Sequence, residues 1–466
     1  MLHLYDTRTR SVEEIVPSTP GLLRVYACGP TVYRYAHVGN LRTFLLTDLI
    51  RRTASMHGLQ VRLVQNITDV GHLQDDQNID SDGEDKLLAQ ARVEGRDPFW
   101  IARFYEEAFH RDQSQIGVHP ADAYPRASEC IDLMLSMISS LVDKGNAYVG
   151  GDGTVYFSAE SFPSYGAISG NKLSELRAGH RADATEIAKG KRFHADWALW
   201  KRAGEHREMT WDSPWGRGFP GWHIECSAMS LDLLGDVIDV HTGGIDLRFP
   251  HHEDERAQTD CFAGKEVVRH WVHGEHLLFE GRKMAKSTGN VVLVSDVVDR
   301  GYDPLALRLA FLGTRYRQQA NLSWAEIAGA DKTLRRWRAA VAAWAEEPSK
   351  PMCAEVQQDV LDAFSDDLDT PRALQVLRAF EKDASMPDGC KFETFAWADR
   401  LLGLDLARDV GKAPAALPAG AQELLDERAS ARAAKDFAAS DRLRDELAAI
   451  GVAVKDTPDG QEWTLT

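Results

Sequence analysis

Cysteine is scarce in this chain of 466 residues, which has six: Cys28, Cys130, Cys226, Cys261, Cys353 and Cys390. They are too scattered for a disulfide framework, and no two form a Cys-x-x-Cys pair. Thiols used this way fit a reducing cytoplasm, which is the expected location. Long apolar runs are also missing. None approaches the roughly 20 residues of a membrane-spanning helix, so no membrane partner is expected. Met1-Leu2-His3-Leu4-Tyr5-Asp6 lacks a basic stretch leading into an apolar core, so no signal peptide is expected. Internal repeats are absent. Positive charge is in deficit: the net charge of −17 argues against a protein that coats nucleic acid non-specifically. It leaves room for a nucleic-acid substrate held by local basic patches. Arg315-Tyr316-Arg317 is one such patch, and Lys332, Arg335, Arg336 and Arg338 around Trp337 form another. Each also reads as a solvated helix face.

What is present is ordinary for a globular protein: 44% hydrophobic and 27% charged residues, in a length that suits about three domains. Residues 22–28 read as a buried strand, 38–58 as a helix and 60–66 as a second strand. That order predicts a parallel βαβ unit, with nucleotide chemistry at the carboxyl ends of the strands. Residues 72–86 are acidic and read as a surface loop. Helical spacing follows over 99–118 and 126–144. Residues 145–220 read as an irregular insertion. The βα pattern resumes at Val237-Ile238-Asp239-Val240-His241, continues through a helix after Pro250, and reaches a strand near 268–273. Beyond 305 the pattern is helical to about 403, with a break at Glu346 to Pro351. After a linker at 413–420, two helices (421–434 and 436–450) and a hairpin (452–455 and 462–465) are expected.

Phe249-Pro250-His251-His252-Glu253-Asp254-Glu255 carries the first chemistry. Pro250 suits a helix start. His251 and Glu255, four apart, then share one helix face. With Cys28 at the end of the first strand and Cys226 in Gly221-Trp222-His223-Ile224-Glu225-Cys226, they offer two thiolates, an imidazole and a carboxylate. That set suits zinc, which is borderline-soft and takes four ligands. A polar helix start beside two buried thiols explains the same residues equally well at this stage.

Two further segments suggest phosphate binding. His37-Val38-Gly39-Asn40 opens the first helix, where free N–H groups and the macrodipole attract anions. Gly39 keeps that approach open to a flat base. Arg282-Lys283-Met284-Ala285-Lys286-Ser287-Thr288-Gly289-Asn290 places two lysines on a loop able to close over a polyphosphate. Taken singly, the first reads as a helix start with a satisfied histidine and the second as a solvated loop.

Together and in this order, His37 to Asn40 and Lys283 to Ser287 resemble the two signatures of the class I aminoacyl-tRNA synthetases. Cys28-Gly29-Pro30-Thr31-Val32-Tyr33, Asn66-Ile67-Thr68-Asp69, the Trp222 and His251 segments, and Lys455 to Gly460 resemble the cysteinyl-tRNA synthetase family over nearly the whole chain. The resemblance implies an α/β fold. A Rossmann-like catalytic domain with an insertion would precede an α-helical bundle and a small α+β C-terminal module. The corresponding parts are 1–118 and 221–304 (catalytic halves), 119–220 (insertion), 305–411 (bundle contacting the tRNA stem) and 412–466 (anticodon-binding module).

The resemblance also implies roles. Cys28, Cys226, His251 and Glu255 would hold one zinc ion per chain, which binds the substrate thiolate. Gly29, Thr68, Trp222 and His241 would line the cysteine pocket. His37, Gly39, Asn40, Gly244, Asp246, Lys283 and Lys286 would bind ATP, with His37, Asn40 and the two lysines catalytic. L-Cysteine, ATP with magnesium and tRNA(Cys) are the expected substrates, and a monomer is the expected state. Ala285 stands where the family more often has serine, which removes a hydroxyl and keeps both lysines. Gly71-His72 replaces the acidic residues and lysine that often follow the Asn66 segment. Two other readings keep parts of the pattern: a ligase joining cysteine to a small amine, as in mycothiol synthesis, and a non-catalytic tRNA-binding paralogue. The C-terminal half argues against the first, and the intact motifs against the second.

Overall fold

Four short strands form the frame on which the site is built. In a computed structural model, β1 (Leu22–Ala27), β2 (Gln60–Gln65), β3 (Ile238–Gly244) and β4 (Val268–Gly274) make one sheet in the order β4-β3-β1-β2, parallel throughout. The structure describes residues 1–71, 73, 85–173, 190–204, 207–284, 289–412, 417–457 and 460–465. Parallel sheets are covered on both faces, and the central strand β3 is accordingly buried along its whole length. The chain leaves β1 for β2 on one side and later returns to pair β3 on the other. The carboxyl ends of β1 and β3 are therefore a topological switch point, where open α/β sheets bind ligands.

Helix α1 (Val38–Met56) connects β1 to β2. It is buried along most of its length and carries a charge into the core. Asp48 is fully buried and pairs with Arg52 Nε at 2.7 Å and Arg308 Nη2 at 2.6 Å. Burial alone would raise the Asp48 carboxyl, but the two arginines hold it below the usual range. Arg308, on the helix Leu305–Leu312, also donates to the carbonyls of Leu402 and Gly117. One buried guanidinium thus ties α1 to the helical region. Removing one partner from such a pair typically costs about 3–5 kcal/mol. Asp48→Ala is accordingly expected to lose that much in denaturant unfolding. Because the Asp48 pKa is depressed, its contribution is present above the unfolded carboxylate range and fades as pH falls.

α2 (Pro98–Gln115) is capped by Asp97, whose side chain accepts from Trp100 N. α3 (Trp222–Leu234) and α4 (His251–Ala263) flank the carboxyl side of the sheet. The described chain falls into two compact units, Met1–Arg408 and Asp409–Thr466. The second unit holds helices Ala421–Ala433 and Phe437–Ala449 and the hairpin Val452–Thr457 with Gly460–Leu465. Its strands are longer than the sequence suggested. Residues 413–416 of the expected linker and Pro458-Asp459 of the turn lie outside the described residues.

Several expectations are corrected. The stretch 145–220 is not irregular throughout. Ala147–Val149, Val155–Phe157, Trp197–Arg202 and Gly218–Pro220 form a four-stranded antiparallel sheet. These strands are three to six residues long. That is too short for alternation to show, and Phe157 and Trp197 stack across two of them, with ring centroids 4.5 Å apart. The helix expected over 126–144 begins as a tight turn at Ala127–Glu129 and becomes α-helical only from Ile131. The helix Lys86–Glu94 follows the expected acidic loop and was not read from the sequence; residues 72 and 74–84 of that loop lie outside the described residues.

The two basic patches are mostly committed within the protein. Arg315 pairs with Asp369, and Arg317 with Asp367. On the helix Trp324–Trp344, Arg335 pairs with Asp331, Arg336 with Glu381 and Arg338 with Asp303. Charge spacing in the sequence does not reveal acids that arrive from distant segments.

Candidate active site

Cys28 follows the last residue of β1, Cys226 lies on the second turn of α3, and His251 and Glu255 project from the first turns of α4. One ligand atom from each of these four lies within 4.8 Å of every other. Cys28 Sγ is 4.0 Å from Cys226 Sγ and 3.4 Å from Glu255 Oε1, which is 2.9 Å from His251 Nε2. Two thiolates sharing a tetrahedral zinc stand about 3.8 Å apart, given Zn–S bonds of about 2.3 Å. The spacing therefore fits the ion.

The chemistry fits as well. All four residues are buried, and burial pushes the Cys28 thiol and the Glu255 carboxyl well above their ordinary ranges. Among the described residues no lysine or arginine pairs with Glu255, and its Oε2 has no hydrogen-bond partner. A cation is what would favour the ionised forms here. His251 Nδ1 stands 2.7 Å from His223 Nδ1, an outer contact that aims Nε2 at the cluster.

A second grouping shares two of these residues. Cys28, His241, His252 and Glu255 also lie within 4.8 Å of one another. His252, which was not singled out in the sequence, places Nε2 3.3 Å from Cys28 Sγ, while its Nδ1 stands 2.8 Å from His273 Nε2. The adjacent His251-His252 pair was the available signal. Two thiolates make the first grouping the better zinc site.

Of the residues expected to line the cysteine pocket, His241 and Trp222 touch this cluster and Gly29 follows Cys28. His241, on β3, is fully buried, stacks on Trp271 at 4.6 Å and reaches Cys28 Sγ at 3.4 Å. Burial holds its pKa well below the usual histidine value. The Trp222 ring lies 4.1 Å from that of His251. Thr68 is buried, and Asn66 Nδ2 donates to its Oγ1 at 3.1 Å. Gly29 packs directly against the Asn66 backbone, so that an added Cβ would stand 1.7 Å from its carbonyl oxygen.

The start of α1 is a reciprocal cap. Asn40 N donates to His37 Nδ1 at 3.2 Å, and His37 N donates to Asn40 Oδ1 at 3.2 Å. This fixes the His37 tautomer, leaving Nε2–H as the donor, and leaves the Asn40 amide nitrogen to donate outward. Burial lowers the His37 pKa to about 4, so the ring is a neutral donor at physiological pH. His37 should therefore contribute no inflection to activity at this site between pH 6 and 8. A pH profile of His37→Gln against the parent, with a difference centred near 6.5, would contradict this.

Gly39 faces Met284: an added Cβ would come within 2.8 Å of the Met284 methyl and 3.1 Å of the His37 ring. Val38 N also donates to the Val292 carbonyl at 2.9 Å. The two signature segments thus meet through Gly39 with Met284 and, close by, Val38 with Val292. Lys283 is exposed on the short strand Arg282–Lys283, and Asn290 Nδ2 donates to its carbonyl at 3.1 Å. Lys286 and Ser287 lie outside the described residues. Gly244 ends β3, with Asp246 Oδ1 2.4 Å from where its Cβ would stand, and Asp246 is exposed.

Among solved structures, the chain resembles an Agrobacterium radiobacter LeuRS in a ternary complex with tRNA and LeuAMS, with a TM-score of 0.59, 12% identity and 84% of each chain covered. It also resembles a Mycobacterium tuberculosis methionyl-tRNA synthetase in complex with methionyl-adenylate, with a TM-score of 0.56, 16% identity, and 90% of this chain and 96% of that one covered. The fold is that of a class I tRNA synthetase. A family model described as the tRNA synthetases class I (C) catalytic domain matches residues 14–332, and one for the Cysteinyl-tRNA ligase anticodon binding domain matches 415–463. Proteins named cysteine–tRNA ligase are similar over the full length. That of Salinibacter ruber is 40% identical, covering 99% of this chain and 97% of its own. That of Methylocella silvestris is 43% identical, covering 100% and 99%. The chain belongs to the cysteine–tRNA ligase family of class I aminoacyl-tRNA synthetases.

Proposed function

We propose that this protein activates L-cysteine with ATP and transfers it to tRNA(Cys), with one zinc ion held by Cys28, Cys226, His251 and Glu255. The observation that carries the reading is the convergence of those four residues at the switch point of the sheet, in a chain whose C-terminal part matches an anticodon-binding family. When bound, zinc would supply a soft cation that favours a thiolate over the hydroxyl of serine.

The protein's own residues do the rest. Trp222, Thr68, His241 and the Gly29 backbone enclose the cysteine. His37 Nε2–H and the Asn40 amide donate to the phosphates, and Lys283 and Lys286 offset the charge that builds as the cysteine carboxylate attacks the α-phosphorus. Gly39 keeps the helix start open to the nucleotide, and Gly244 and Asp246 face its adenosine. ATP enters with magnesium, whose charge further offsets the phosphates. Pyrophosphate leaves, and a terminal ribose hydroxyl of tRNA then attacks the adenylate and releases AMP. Catalysis is by positioning and charge stabilisation, with no covalent bond to the enzyme.

In this reading 1–118 and 221–304 form the catalytic domain and 119–220 its insertion. Residues 305–411 meet the tRNA stem and 412–466 the anticodon. One chain supplies every proposed residue, so a monomer suffices; the cytoplasm is its proposed location. Transfer of labelled cysteine to total tRNA tests the reading. ATP-dependent charging is expected, and cysteine activation without transfer to any tRNA would contradict it.

A further inference from the structure

An exposed group of aromatic rings stands beside the start of α1. Tyr35 is 40% exposed, and Phe99 and Trp100 are each 42% exposed. Trp100 and Phe104 lie one turn apart on α2 and stack with centroids 5.1 Å apart and planes 14° from parallel. Tyr35 meets Phe104 edge-on at 6.2 Å. The Arg96 guanidinium lies over Trp100 at 4.9 Å, and that of Arg34 over Tyr33 at 5.1 Å. Among the described residues, neither Arg34 nor Arg96 is in a salt bridge. This sets them apart from Arg315, Arg317, Arg335, Arg336 and Arg338, which the protein's own carboxylates engage.

Flat rings accompanied by cations are the means by which single-stranded nucleic acid is held without base-specific contacts. Guanidinium groups that lie over exposed rings and form no salt bridge of their own favour a polyanion. Position narrows the ligand. Tyr35 is two residues from His37, so their Cα atoms are at most about 7 Å apart. A ribose hydroxyl that attacks the adenylate must arrive beside His37, and the nucleotides just before it must lie on the neighbouring surface.

We propose that Tyr35, Trp100 and Phe104 form a stacking platform for the unpaired 3′-terminal nucleotides of tRNA, with Arg34 and Arg96 facing their phosphates. The inference rests on the tRNA-ligase reading and adds the surface that delivers the reacting end. The rings have no part in adenylate formation, so the two steps should separate when the platform is altered.

The test uses the full chain with Trp100→Leu, which keeps apolar bulk and removes the flat face, and Trp100→Phe, which restores one. Three quantities are read: cysteine-dependent ATP–pyrophosphate exchange, single-turnover transfer to tRNA, and competition by tRNA lacking its terminal nucleotides. Stacking of one base predicts about a tenfold loss of transfer in Trp100→Leu, with exchange unchanged and most of the loss recovered in Trp100→Phe. Truncated tRNA should compete equally against parent and variant. Unchanged transfer in Trp100→Leu would overturn the platform, as expected of a surface that meets a protein or nothing. A loss that truncated tRNA shares would also overturn it, because the contact would then be to the tRNA body. Should Trp100→Leu fold poorly, Tyr35→Leu and Tyr35→Phe give the same comparison. Failure of the parent to charge tRNA would instead overturn the underlying reading.

Discussion

Cys226→Ala is expected to release the metal and abolish cysteine-dependent ATP–pyrophosphate exchange. The thiol is buried, and its sulfur stands 4.0 Å from that of Cys28 in a cluster whose other members are an imidazole and a carboxylate. Loss of an outer-shell partner alone costs about 10- to 100-fold in metal affinity, and loss of a ligand should cost more. Elemental analysis should find one zinc per chain in the parent and none in the variant. Cys261→Ala, at a half-buried thiol outside the cluster, should keep both metal and activity. The experiment also separates the two groupings. If Cys226→Ala kept its full zinc content, the ion would sit instead among Cys28, His241, His252 and Glu255, which do not need this residue.

Gly29→Ala should be nearly as damaging, for a different reason. Its Cβ would lie 1.7 Å from the Asn66 carbonyl oxygen, and both are backbone positions at the ends of paired strands. The clash cannot be relieved by a rotamer change, so the ends of β1 and β2 must part by more than 1 Å. Cys28 and Thr68 move with them. Displacement on that scale costs about 10²-fold in rate, and overpacking about 1–3 kcal/mol in stability. Exchange rates should fall by that factor while denaturant unfolding still shows a cooperative transition. A variant with parental exchange would show that the Gly29–Asn66 contact is not what sets the pocket.

The sequence reveals most where a residue type has few uses. A proline before His251, a carboxylate four residues on and two isolated cysteines pointed to one cluster before any geometry was known, and the structure brings those four together. The parallel βαβ core was legible because β1 is a near-continuous apolar run and a helix and a second strand follow it in order. The small antiparallel sheet in the insertion was not, since three of its four strands have only three residues and their register depends on distant partners. The ion pairs of the arginines near 315 and 335 were hidden for a related reason: Asp367, Asp369 and Glu381 meet them only in the folded chain. His252 went unflagged because a second histidine beside a proposed ligand has many bland uses. The contacts of Met284 with Gly39 and of Val292 with Val38 join segments about 250 residues apart, and no local pattern encodes them.

The central claim is that a metal-binding cluster selects cysteine for activation. Its most direct test is ATP–pyrophosphate exchange with cysteine and with serine, in zinc-loaded and chelator-stripped protein. The account predicts exchange with cysteine in the loaded protein alone, and discrimination against serine of about 10⁴-fold or more, as expected of a site built around one substrate group. Equal exchange with serine, or full cysteine exchange after the zinc is removed, would contradict it.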